Sequence, residues 1–213
     1  MSWRRLTLAK ILAISGSPAP GASTDILLGE VATTVIETLA DNNSSWRFVK
    51  LNELIFQPCQ ACGFAPDRGF CVLADDLTEL YKDLAECDLL LFGSPLYFDT
   101  VSGQAKTFID RCNCFRPADF DDKDPEHDFL KLLPRKRPGA MVLVGGERGW
   151  FEGARRIVAG FFKWVEVVNE GVLEYRSDNF HNRGSAAGDK QALEDARKLG
   201  RELAEKLKSD KYA

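Results

Sequence analysis

Two periods alternate along this chain, and that alternation limits the fold more than any other feature. Strand-like apolar runs occupy Lys10–Ser15, Trp46–Leu51, Leu89–Gly93, Ala140–Val144 and Gly171–Tyr175. A stretch of helical spacing follows each: Thr24–Ala40 (with Leu28, Val31, Val35 and Leu39), Asp75–Glu86, Gly103–Cys112, Gly153–Val165 and Asp189–Lys208. Asp75 and Asp76 suit the cap and first turn of the second helix, and Lys206 and Lys208 the last turn of the fifth. Five strands strictly alternating with five helices imply a parallel sheet covered on both faces, an α/β three-layer sandwich. Right-handed crossovers leave few topologies. The first and third runs are nearly all apolar, which marks central strands buried on both sides. The strand order 2-1-3-4-5 fits, with a ligand crevice at the carboxyl ends of strands one and three.

The 213 residues suit a single domain, 1–213, whose core needs neither disulfide nor metal. The net charge is −4 and the basic residues are dispersed, which argues against a nucleic-acid or anionic-membrane partner. No apolar run is long enough to span a bilayer. Arg4-Arg5 before the apolar stretch Leu6–Ile14 imitates a twin-arginine export signal. Lys10 interrupts that stretch, and cleavage would remove the first strand, so the expected location is cytoplasmic. The six cysteines are then reduced thiols, metal ligands or redox groups.

The first strand ends in Ser15-Gly16-Ser17-Pro18-Ala19-Pro20-Gly21-Ala22-Ser23-Thr24, directly before a helix. Ser17, Ser23 and Thr24 offer hydroxyl donors, and the helix start offers free N–H groups and a favourable dipole. Together they suit a phosphate dianion held without lysine or arginine. Gly16 and Gly21 have P-loop spacing, but Ala22 stands where a P-loop needs lysine. A phosphate monoester therefore fits better than a nucleoside triphosphate. A serine-capped turn with no ligand is the plain alternative.

The third strand ends in Gly93-Ser94-Pro95-Leu96-Tyr97-Phe98-Asp99, at the same sheet edge. Proline, leucine and two aromatics make a wall for a flat heteroaromatic ring, with following N–H groups aimed at its heteroatoms. A third turn, Val144-Gly145-Gly146-Glu147-Arg148-Gly149-Trp150, allows close backbone approach at its paired glycines. The plain readings are packing aromatics and a tight turn.

Two loops are long. Residues 51–74 carry Cys59, Cys62 and Cys71; residues 113–138 mix acids with bases, as a solvated insertion, an active-site lid or an arm at a subunit contact would.

These segments resemble the flavodoxin-like NAD(P)H-dependent FMN reductases, especially the branch that includes iron–sulfur flavoproteins. The resemblance rests on Ser15–Thr24, Cys59-Gln-Ala-Cys62, Asp75-Asp76, and Gly93-Ser94-Pro95-Leu96-Tyr97-Phe98 continuing through Val101–Arg111. It covers most of residues 10–175. It implies FMN, with NAD(P)H as co-substrate and the phosphate in the loop of Ser15, Ser17, Pro18, Ala22, Ser23 and Thr24. The ring would lie against Ser94, Pro95, Leu96, Tyr97 and Phe98, with Gly145 and Gly146 on its other side. It also implies a homodimer or tetramer.

That branch carries a compact four-cysteine loop, and here Ala65 stands at the third position. Cys59, Cys62 and Cys71 remain as candidate ligands for an iron–sulfur cluster, which normally takes four thiolates. Zinc, a redox dithiol of Cys59 and Cys62, or plain thiols are the other readings. Cys87 reads as a small core residue, while Cys112 and Cys114 find no partner. Lys106 and Asp110 read as a helix-stabilising pair.

Flavin chemistry needs no catalytic acid or base beyond the cofactor. The sequence therefore points first to an FMN-dependent reductase of a flavin, quinone or other small acceptor. Second comes a flavin electron carrier serving a protein partner; a non-catalytic phospholigand-binding domain is third.

Overall fold

In the computed structural model the described residues are 8–40, 43–62, 70–117, 119–124, 126–127, 132–133, 135–177, 179, 181–209 and 212. Arg4-Arg5, Leu6, Ala65, Asp128 and Lys131 lie outside them.

The strands are β1 (Lys10–Ser15), β2 (Ser45–Lys50), β3 (Leu89–Tyr97), β4 (Thr100–Val101), β5 (Arg137–Gly146) and β6 (Val167–Ser177). The helices are α1 (Ser23–Leu39), α2 (Leu77–Glu86), α3 (Gly103–Arg111), α4 (Glu152–Trp164) and α5 (Lys190–Lys208). The main sheet runs β2-β1-β3-β5-β6, all parallel. This is the expected 2-1-3-4-5 order, with β4 added as a short antiparallel partner of β3.

Side-chain alternation sorts the strand residues into two cores, because successive residues face opposite sides of a sheet. Ile11, Ala13, Leu89, Leu91, Ala140 and Val142 pack under α1 and α5. Leu12, Ile14, Leu90, Phe92, Met141 and Leu143 pack under α2, α3 and α4. Both faces of the interior strands are thus apolar, which is why their sequences read as unbroken hydrophobic runs. On the second face Phe92, Phe108 and Phe161 form a ring cluster with centroids 5.3 to 6.1 Å apart.

Some element ends differ from the expectation. β3 continues through Pro95 to Tyr97, β5 begins at Arg137 and β6 runs from Val167. Arg137, which the sequence places in the second long loop, is fully buried and donates to the Leu84 carbonyl. Helix α2 starts at Leu77, and its cap residue, Asp76, makes no side-chain cap bond. Asp76 instead accepts from the Ile55 amide at 2.7 Å, while Asp75 accepts from the Leu77 amide in the first turn of α2 as well as from Arg111. In the second long loop, Phe115 and Leu133 are buried in the core, so that segment is anchored rather than wholly solvated. The Asp189 carboxylate caps α5, accepting from the amides of Gln191 and Ala192.

Candidate functional site

Parallel strands put the turns after β1, β3 and β5 on one rim, at the carboxyl ends of the sheet. Hydrogen bonds join them. The Gly16 amide donates to the Gly93 carbonyl at 2.8 Å, and the Ser102 hydroxyl donates to the Gly16 carbonyl at 2.5 Å. The Ser102 hydroxyl also accepts from the Ala105 amide at 3.2 Å, capping α3. One buried serine thus ties the first turn to the end of the second. The approach is close enough that a Cβ on Gly16 would sit 2.6 Å from the Ala105 Cβ, so only glycine fits there.

In the first turn the side chains of Ser15, Ser17, Ser23 and Thr24 are buried. The Ser15 hydroxyl donates to Asp25 at 2.5 Å and accepts from the Ser17 amide. The Ser17 hydroxyl is shared with the Ala19 backbone. The Ser23 hydroxyl bonds the Arg183 carbonyl and the Ala186 amide, clasping the segment before α5. These hydroxyls shape the turn, and Ala22, the residue before α1, offers no side-chain cap. The amides of Thr24 and Asp25 lie in the first helical turn, where no intrahelical acceptor exists. Donor capacity on this turn is therefore mainly backbone, with the helix dipole behind it.

The sequence reading expected no basic residue here, and the structure supplies one. Lys50 is buried, with its Nζ 2.8 Å from the Ala19 carbonyl and 2.5 Å from an Asp25 oxygen. It neutralises the acid in the first turn of α1 and holds the turn from below. Strand register could have found it, because Lys50 ends β2 directly beside Ser15 of β1.

The second turn is a hairpin. Tyr97 pairs with Thr100 and Leu96 with Val101, leaving Phe98 and Asp99 as the two turn residues. Both have positive φ, 52° and 57°. That pattern belongs to a type I′ turn, which Asn-Gly usually supplies. Phe98 adopts it while fully exposed, and Tyr97 is also exposed. Ser94 is buried, its hydroxyl accepting from the Ser102 amide at 2.9 Å. The third turn is tied in by the Trp150 amide, which donates to Asp99 Oδ1 at 3.0 Å. Leu96 packs against Gly145 and Gly149, so the second and third turns share a wall. Gly146 has open space beside it, and Trp150 is exposed on the rim.

The profile of the family described as NADPH-dependent FMN reductase matches residues 9–173. This chain belongs to that family. An iron–sulfur flavoprotein of Methanocaldococcus jannaschii is 29% identical over 205 residues, covering 93% of this chain and 97% of that one. A Bacillus subtilis protein named as an NAD(P)H-dependent FMN-containing oxidoreductase is 24% identical over 190 residues, covering 89% and 96%. A solved archaeal flavodoxin superposes with a TM-score of 0.55 at 12% identity, covering 94% of this chain and 99% of its own. The fold is flavodoxin-like, and the FMN reductase homologue is an FMN-dependent oxidoreductase. No helix among its described residues is long and apolar enough to cross a membrane.

Away from the rim, the reductase has a second polar centre. Arg111, at the end of α3, is 1% exposed. Its Nη1 donates to the Gln57 carbonyl at 2.7 Å and to Asp75 Oδ2 at 2.6 Å. Its Nη2 reaches Asp75 Oδ1 at 3.2 Å and the Cys71 sulfur at 3.5 Å. Burial pushes the Asp75 carboxyl up, but hydrogen bonds from Arg111 and from the Gln57 and Leu77 amides outweigh it. The net result lies below the usual carboxylate value.

All six cysteines are free. Burial pushes the Cys87 thiol up to about 11, which fits its reading as a core residue. Burial, then the neighbouring Cys71, pushes Cys114 up to about 12. Lys106 and Asp110 form the expected surface pair at 2.7 Å.

Proposed function

We propose that the rim binds FMN and that the protein passes electrons from NAD(P)H to a free flavin, a quinone or another small acceptor. The carrying observation is the bonded junction of Gly16, Gly93 and Ser102. It holds a turn rich in backbone donors beside a turn rich in apolar and aromatic surface. That pairing suits a ligand with a phosphate at one end and a planar ring at the other. The loop of Ser15, Ser17, Pro18, Ala22, Ser23 and Thr24 would hold the phosphate, its first-turn amides donating. Ser94, Pro95, Leu96, Tyr97 and Phe98 would line the ring, with Gly145 and Gly146 opposite. Bound FMN supplies hydride acceptance and onward electron transfer. The chain orients the ring, donates hydrogen bonds and controls access, so no catalytic acid or base is assigned.

Residues 1–213 act in this reading as one domain in the cytoplasm. The exposed Tyr97, Phe98 and Trp150 give a homodimer or tetramer a reason to close over the rim. The test is anaerobic mixing of the FMN-loaded protein with NADPH or NADH, followed at the flavin band. Rapid bleaching, with turnover on added riboflavin or a quinone, supports the proposal. Bleaching only by a reduced electron-carrier protein supports the second reading, a carrier serving a protein partner. The contact of Cys71 with Arg111 favours that reading, because α3, which ends at Arg111, leads from the ring turn to the cysteine loop across about 14 Å at 1.5 Å per residue.

A further inference from the structure

A charge pair lies buried under the first turn. The Lys50 side chain, at the end of β2, is 5% exposed, and that of Asp25, in the first turn of α1, is 12% exposed. Burial of that degree leaves little water to screen either charge. Lys50 Nζ donates to the Ala19 carbonyl at 2.8 Å and to Asp25 Oδ2 at 2.5 Å. Asp25 Oδ1 accepts from the Ser15 hydroxyl at 2.5 Å, and the Ser15 oxygen accepts from the Ser17 amide at 3.2 Å. The bonded chain Lys50–Asp25–Ser15–Ser17 thus runs from the sheet into the turn. A carboxylate at the start of α1 competes with any arriving anion for the same helix dipole. The ammonium takes up the Ala19 and Asp25 oxygens, both of which would otherwise repel a phosphate. It has three N–H groups, and two of them find acceptors among the described residues. Stability alone is a weak reason for such a pair, since apolar residues of similar volume often serve a fold as well.

We propose that Lys50 is a positioning residue that sets the charge of the first turn and so makes the rim select a phosphorylated flavin over an unphosphorylated one. The proposal rests on the assignment of the rim to FMN. With both partners present the pair is neutral, and the backbone amides of the first turn act on the phosphate undiminished. Without Lys50, the buried carboxylate of Asp25 faces the phosphate with no counter-charge. Without Asp25, the turn carries a net positive charge. A phosphate monoester, with a charge of about −1.5 to −2 at pH 7, feels that difference. Riboflavin has no phosphate and does not. Fold stability then follows the integrity of the pair, whereas ligand selectivity follows its net charge.

The flavin-free full chain is titrated with FMN and with riboflavin, as wild type, Lys50→Met, Asp25→Asn and the double variant, and thermal unfolding is followed for each. The readout is the preference for FMN, the ratio of the two dissociation constants. Lys50→Met is expected to lower that preference at least about tenfold, with riboflavin affinity held. Asp25→Asn keeps an oxygen for the Ser15 hydroxyl and is expected to raise the preference by about the same factor. The double variant is neutral again and is expected to return to about the wild-type preference. A merely structural pair predicts instead that each single variant weakens both flavins alike, with no rescue. If Lys50→Met fails to fold, the double variant against Asp25→Asn isolates the same charge, and the double variant should show the lower preference by about tenfold. An unchanged preference in Lys50→Met, or equal preferences in the double variant and Asp25→Asn, overturns the proposal while the FMN assignment stands. A wild type that binds both flavins equally overturns the assignment and the proposal together.

Discussion

Ser102→Ala is the perturbation that bears most directly on the join between the two ligand turns. The buried hydroxyl donates to the Gly16 carbonyl and accepts from the Ala105 amide. Losing the α3 cap costs about 1 kcal/mol. Leaving the Gly16 carbonyl without its donor costs about 1–2 kcal/mol more. The sum, about 2–3 kcal/mol, lowers Tm by roughly 4–12 °C for a chain of this size. Both lost bonds lie where the turns meet, so the damage concentrates at the rim. FMN affinity is expected to fall about tenfold, the equivalent of about 1.4 kcal/mol. Val35→Ala is the control. It empties a buried site twelve residues along α1 from the rim, at a similar cost of about 2 kcal/mol. Thermal unfolding and FMN fluorescence titration are run on both variants. A fall in Tm for both, with affinity lost only in Ser102→Ala, is the expected pattern. Equal FMN affinity in the two variants would refute the argument that this serine couples the turns.

Three further outcomes follow from single contacts. Phe98→Gly relieves a positive φ that costs about 1 kcal/mol in a non-glycine residue, so the ligand-free protein should gain stability in urea while FMN binding weakens. Asp75 has a lowered folded pKa, so its contribution is present above about pH 4 and is lost as pH falls through the folded value. Asp75→Asn should therefore cost about 3 kcal/mol at pH 7 and clearly less at pH 3, read from urea midpoints at each pH. Lys106→Ala removes an exposed i,i+4 pair and should change stability by only about 0.3 kcal/mol, with turnover unaltered.

The sheet was legible because its interior strands are apolar on both faces, and their continuous runs mark both position and order. The strand extensions were hidden. Arg137 and Pro138 read as the end of a loop by composition, yet β5 starts at Arg137, whose guanidinium donates to the Leu84 carbonyl inside the protein. The hairpin at Phe98–Asp99 was hidden as well, since neither residue is the glycine or asparagine that such a turn usually advertises. The two ligand turns could be read from their residue types and their place after β1 and β3. Lys50 could not be read as locally relevant, because only the register of β2 beside β1 brings it under Ala19. Cys114 was invisible for the same reason. Its nearness to Cys71 is a product of where α3 ends, and no local spacing encodes it.

Titration of the flavin-free protein with FMN and with riboflavin tests the central claim most directly, because the two differ only in the group that the first turn is argued to hold. Two charge-assisted hydrogen bonds from its amides are worth about 3 kcal/mol, so FMN is predicted to bind at least about a hundredfold more tightly. Equal affinity for the two, or no binding of either, would contradict the assignment of this rim to a phosphorylated flavin.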